Sequence, residues 1–213
     1  PWGALPSLRG RPVSVVPSAA VWLAARRSAA VSREGVVLVA GPDLPGAAAE
    51  VSRLRDIHPE AAVLTGGGAT IDAVLGAVES ASVVHLAAHG TFRADSPMFS
   101  SLRLSDGPLT VYDLERLGRP PGLVVLSACD AARSEVRAGD EVLGVSSALL
   151  GGGAVAVIAS VLPVPDATTA DLAVVLHREL RAGRGAAAAL AAAHAAGGHP
   201  EVPVAPFVCL GAG

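Results

Sequence analysis

The sequence predicts an α/β domain built on a mainly parallel β-sheet with helices on both faces. Three observations predict it. Short runs rich in Val, Ile and Leu alternate with alanine-rich stretches along the 213 residues. Those runs are apolar at successive positions, as strands covered on both faces are. The alternation of strand and helix favours parallel strands joined by crossover helices. The length suits one domain, residues 1–213. A domain of that size buries about 70% of its unfolded surface and needs no staples.

In chain order, the first strand is expected at 13–17 (VSVVP), followed by a helix at 18–29. The run VVLVA at 36–40 leads into a helix at 44–57. AVLT at 62–65 is followed by three glycines, Gly66 to Gly68, and a helix at 70–79. A glycine triplet after a strand resembles a phosphate cradle, but Thr70 is an N-cap residue and makes this a plain loop-to-helix junction. VVHLAA at 83–88 is the next strand. The segment LRLSDGPLTVYD breaks the pattern: Asp106-Gly107 between short apolar runs signals a β-hairpin, with a strand at 102–105 and a helix at 111–117. LVVLSA at 123–128 and AVAVIAS at 154–160 are strands flanking a helix at 140–150, which ends on Gly151–Gly153. Helices at 166–181, with Asp166 at its start, and at 184–196 precede the last strand, FVCLG at 207–211. Pro120-Pro121, Pro163 and Pro165 mark loops.

Composition removes whole classes of chemistry. All sixteen basic residues are arginine, and the chain has no lysine, asparagine or glutamine. A Walker A loop therefore lacks its lysine, and Schiff-base or Ser-Lys catalysis cannot be built. Nor can a Cys-His-Asn site with a glutamine in its oxyanion hole. Net charge is −3 and aromatics are only 3%, so no nucleic-acid partner is expected. No apolar run is long enough to span a membrane. Two cysteines make no disulfide framework, which fits a reducing cytoplasm. The chain begins at Pro1 with no visible signal peptide, and is expected to be a domain of a longer protein.

Two strand ends carry reactive residues. VVHLAAHGTF places His85 inside a strand and His89-Gly90 just beyond it. VVLSACD places Cys129 and Asp130 just beyond another. In open α/β sheets, ligands bind outside the carboxyl ends of the strands, so neighbouring strands would bring His89 and Cys129 to one edge. A thiolate is a good nucleophile and a histidine can take its proton. The backbone N–H groups of Gly90 and Cys129 could form an oxyanion hole without any amide side chain. His85 shares a strand face with His89 and is read as a supporting residue; a zinc site of His85, His89 and Cys129 is a rival reading. It is set aside because HLAAH lacks the glutamate of HExxH and lies off any expected helix. Neither metal nor cofactor is therefore expected. A polar loop after Cys129 holds Asp130, Glu135, Asp140 and Glu141. Asp130, Asp140 and Glu141 are candidates for a substrate pocket, where a carboxylate would favour arginine or lysine beside the scissile bond.

The segments HLAAHGTF, SSLRLSDGPLTVYDLERL, VVLSACD and GDEVLGVSSALLGGGAVAVIASVLPVPD resemble the CHAT domain, a bacterial branch of the caspase- and separase-like cysteine peptidases. PVSVVPSAAVWL, GPDLPGAAAE and FVCLGAG extend the resemblance in family order over nearly the whole chain. It implies a caspase-like three-layer sandwich. It implies His89 as general base, Cys129 as nucleophile, and Gly90 with Cys129 as the oxyanion hole. It also implies cleavage of a specific protein substrate in signalling, defence or programmed-death pathways, under control of a helical-repeat or sensor domain in the same chain. Asp130 stands where metacaspase relatives carry histidine, so their substrate preference and calcium activation do not transfer. A catalytically silent interaction module on the same fold is the competing expectation.

Overall fold

The computed structural model describes residues 5–8, 10–79, 81–91, 93, 96–127, 146, 148–160, 166–196 and 207–213. Its main sheet has seven strands, in the order β1-β10-β9-β8-β4-β2-β3. They are β1 (Ser14–Val15), β2 (Val36–Ala40), β3 (Ala62–Leu64), β4 (Val83–Ala87), β8 (Leu123–Leu126), β9 (Ala156–Ser160) and β10 (Phe207–Gly211). Neighbours pair in parallel except β9 and β10. A smaller antiparallel sheet joins β5 (Gly90–Thr91), β6 (Ser101–Arg103) and β7 (Pro108–Thr110). The expected hairpin is thus present, turning through Ser105–Gly107. The short strand β5 was not expected from the sequence. It extends the hairpin because the chain leaving β4 folds directly against β6.

The two-residue period of the strands sorts side chains into two layers. Val37 and Val39 of β2, Val84 and Leu86 of β4, and Val124 and Leu126 of β8 point to one face. There they meet Val74 and Val78 of α3 (Ile71–Val78), Leu109 and Val111 of the hairpin region, and Val21 of α1 (Ala19–Ala29). Leu38 and Ala40 point the other way, onto Ala47, Val51 and Leu54 of α2 (Pro45–Ile57) and Ala173 and Val174 of α5 (Asp166–Arg181). Ile158, Phe207 and Cys209 meet α5 and the alanine-rich α6 (Ala186–Ala196) on that same side. Each fully buried Leu, Val or Ile contributes about 1.5–3 kcal/mol. Helices on both faces and a mostly parallel sheet between them make the expected three-layer α/β sandwich.

Local chemistry sets the helix ends. Thr70 caps α3 through its Oγ1, which accepts from Ala73 N–H at 3.3 Å. Gly66–Gly68 form a single tight turn ahead of it. Thr110 and Asp113 form a capping box at the start of α4 (Val111–Glu115). Pro45 opens α2, where a missing N–H costs nothing. Gly153, with φ +109, closes the helical residues 148–151 as expected. Most of the helix expected at 140–150 lies outside the described residues. Among the described residues, no helix is long and apolar enough to cross a membrane.

Candidate active site

β4 and β8 are direct neighbours, as the functional reading of the sequence required. They run in parallel, with Leu86 opposite Leu126. Ser127 N–H donates to Leu86 O at 2.9 Å and carries the pairing one residue further. In the sequence, His89 follows Leu86 by three residues and Cys129 follows Leu126 by three. Cys129, Asp130, Asp140 and Glu141 themselves lie outside the described residues.

His89 is half-buried just beyond β4. Its Nε2 lies 3.0 Å from the backbone carbonyl of Asp43. A carbonyl only accepts, so Nε2 carries the ring proton and Nδ1 is left as the basic nitrogen. The loop that supplies this carbonyl is held tightly. β2 pairs with β4 up to Ala40 opposite Ala87, and Gly41 N–H donates to Ala87 O at 2.8 Å. A Cβ on Gly41 would sit 2.7 Å from both Ala88 Cβ and Arg103 O, so only glycine fits. Asp43 has φ +58, a left-handed conformation that Asp tolerates better than most residues. Its carboxylate lies 3.3 Å from Arg103 Nη2, and Arg103 N–H donates to His89 O at 2.8 Å. The β2–α2 loop and β6 therefore clamp the histidine from two sides. Sequence reasoning left Asp43 out, although GPDLPG follows a strand adjacent to β4 and so falls at the same sheet edge.

Gly90 is buried and opposite Leu102 of β6. The Arg103 N–H to His89 O bond flanks that pair, which makes Gly90 and Leu102 the antiparallel pair that shares no mutual hydrogen bonds. The Gly90 N–H thus points away from β6, toward the outer side of the small sheet.

His85 is wholly buried and faces α2 and α5. Its Nε2 lies 2.7 Å from Glu50 Oε1, and its Nδ1 lies 3.1 Å from His177 Nε2. Among the described residues, no group of three or more His, Cys, Asp or Glu is arranged to hold a metal ion. The second cysteine, Cys209 in β10, is buried, and burial pushes its thiol up to about 12. At neutral pH it is a packed thiol with no thiolate to offer.

The chain matches a family model. The CHAT domain model matches residues 2–202, and the chain belongs to that family. Among solved structures it is similar to the Arg-specific cysteine proteinase gingipain R, with a TM-score of 0.57 and 14% identity over 86% of this chain and 47% of that one. It is similar also to Saccharomyces cerevisiae separase–securin complexes. In one, the TM-score is 0.67 and identity 13%, covering 99% of this chain and 14% of that chain. This chain therefore spans less than half the length of the structures it resembles. No curated protein matched. The solved structures share the caspase-like fold.

Proposed function

We propose that the domain is a cysteine endopeptidase with His89 as general base and Cys129 as nucleophile. The register of β4 against β8 carries this reading. With Leu86 opposite Leu126, the chain continues three residues to the base on one strand and three to the thiol on the next. His89 Nδ1 takes the proton of the Cys129 thiol, and the thiolate attacks a peptide carbonyl. The N–H groups of Gly90 and Cys129 hold the oxyanion. The amine leaves with the proton from His89, and water activated at Nδ1 then hydrolyses the acyl-enzyme. The inertness of Cys209 leaves Cys129 as the one thiol suited to the task.

In this reading the substrate is a specific protein, and Asp130, Asp140 and Glu141 favour arginine or lysine beside the cut. The name of gingipain R, an Arg-specific proteinase, supports that preference. The domain serves a bacterial signalling, defence or death pathway in the cytoplasm, and a sensor or helical-repeat region of the same protein controls it. A peptidyl thiol-reactive probe ending in arginine should label the wild type and spare Cys129→Ala. Turnover of a matching fluorogenic peptide should fall about 10²–10⁴-fold in His89→Ala. If neither His89→Ala nor Cys129→Ala lowers turnover, the dyad assignment is wrong; if the wild type neither takes the probe nor cleaves any peptide, the domain acts by binding.

A further inference from the structure

The molecule has a second concentration of chemistry, remote from His89. α2 starts at the catalytic edge of the sheet and runs about 18 Å to the opposite edge. There its last turns and the C-terminal half of α5 line an open surface cavity of about 410 Å³. Arg53, Asp56 and Ile57 line it from α2, and Val174, Arg178 and Arg181 from α5. The spacing of 174, 178 and 181 puts all three on one face of α5. Arg53 is held in place by Asp171, whose Oδ1 accepts from Nη2 at 2.8 Å. Among the described residues, neither Arg178 nor Arg181 has a carboxylate partner. Arginines at the end of α5 suit its helix dipole, but that does not account for a third arginine from another helix on the same cavity.

His58 and His177, next in sequence to the lining residues Ile57 and Arg178, belong to a line of buried polar groups. Glu50 Oε1, His85, His177 and His58 form one hydrogen-bonded chain, with steps of 2.7, 3.1 and 3.1 Å. Glu50 and His58 are each 4% exposed, and His85 and His177 are not exposed at all. One proton order satisfies every link. A carboxylate at Glu50 accepts from His85 Nε2–H, His85 Nδ1 from His177 Nε2–H, and His177 Nδ1 from His58 Nε2–H. His58 closes the chain at the end of α2, next to the residues that line the cavity. The chain thus joins the cavity to the middle of β4, four residues before His89.

We propose that the α2–α5 cavity binds a small multiply charged oxyanion of the phosphate class, and that the buried histidine chain takes up a proton when it binds. Guanidinium forks match phosphate oxygens in pairs. The volume suits a small molecule. No aromatic ring lines it, so charge and not base stacking selects the ligand. The groups facing the chain are Glu50 of α2, Arg181 of α5, and Glu60 beyond α2. His58 is held below the usual histidine value by burial and by Arg181, with Glu60 opposing. His177 is held well below it by burial and by His85 and His58. An anion on Arg181 offsets that repulsion, so binding and proton uptake must reinforce each other.

Sulfate, a tetrahedral oxyanion that stays doubly charged throughout this pH range, titrated calorimetrically into the 213-residue protein near pH 6.5, at fixed ionic strength, tests this. One equivalent should bind, and the heat should vary with the ionisation enthalpy of the buffer in the sense of proton uptake. Arg178→Ala/Arg181→Ala changes only exposed side chains and should bind at least about tenfold more weakly. His58→Gln keeps a donor for His177 but cannot titrate; it should still bind, with no buffer-dependent heat. Absence of saturable binding, or equal binding by the double variant, overturns the site. Equal proton uptake by the wild type and His58→Gln overturns the coupling.

Discussion

At the scale of single residues, the most informative one is Asp43. It reaches His89 with its backbone and Arg103 with its side chain. Both ion-pair partners are more than half exposed, so the pair is worth less than about 1 kcal/mol. Asparagine tolerates the same left-handed backbone. Asp43→Asn should therefore leave the Nε2–H tautomer of His89 unchanged in ¹H–¹⁵N correlation spectra and keep peptidase turnover within about threefold. A loss of a hundredfold or more would mean that the carboxylate, not the carbonyl, acts on the imidazole. Cys209 gives a second residue-scale expectation. In Cys129→Ala it is the sole thiol, and with its thiol pushed up to about 12 it should not react with a disulfide reagent at pH 8 until the protein is unfolded. Rapid reaction in the native state would contradict its burial.

At the scale of elements, the loop after β2 depends on close contact. Gly41→Ala forces a methyl group against Ala88 and the Arg103 carbonyl, both beside His89. A cost of about 1–3 kcal/mol is expected, read as a lower urea midpoint, together with loss of turnover as the Asp43 carbonyl shifts. Wild-type stability in this variant would show that the loop has room. The elements most legible in the sequence were those with both faces buried. VVLVA became β2 and VVHLA became β4, because apolar residues at successive positions have no other economical placement. The hairpin was legible through Asp106-Gly107, where Gly107 takes φ +152. β5 was not, because two residues carry no period and its pairing depends on a partner ten residues away. At the candidate site, the position of His89 just beyond β4 was legible as the polar end of an apolar run. Asp43 was not, since a backbone carbonyl leaves no signature in side-chain identity. The partners of His85 were equally hidden: Glu50 and His177 lie 35 and 92 residues from it in sequence and meet it only through the packing of α2 and α5.

At the scale of the whole molecule, buried histidines link stability to acidity. Burial is the largest cause that holds His177 well below the usual histidine value, and it lowers His194 to about 4. In the unfolded chain both rings titrate near about 6.5. Below that value the unfolded state binds protons that the folded state refuses, so stability falls as the solution is acidified from about pH 6.5. Each group contributes a slope of about 1.4 kcal/mol per pH unit, and the share of His194 levels off near pH 4. Urea midpoints measured from pH 7 to 4.5 should decline, and decline less in His194→Leu. A flat profile, or the same slope in that variant, would sink this account.

The placement of β10 also dictates the order in which the molecule can be completed. β1 belongs to the sheet only through β10, with Ser14 opposite Cys209, and β9 has β10 as its outer neighbour. β2, β3, β4, β8 and β9 can assemble without it, through crossovers that each close a shorter loop. Until residues 207–211 arrive, β9 presents an apolar edge ready to pair with any other extended chain. The antiparallel strand is thus a latch. Aggregation during refolding should be governed by how quickly it closes, and a free peptide of its sequence should compete for the open edge.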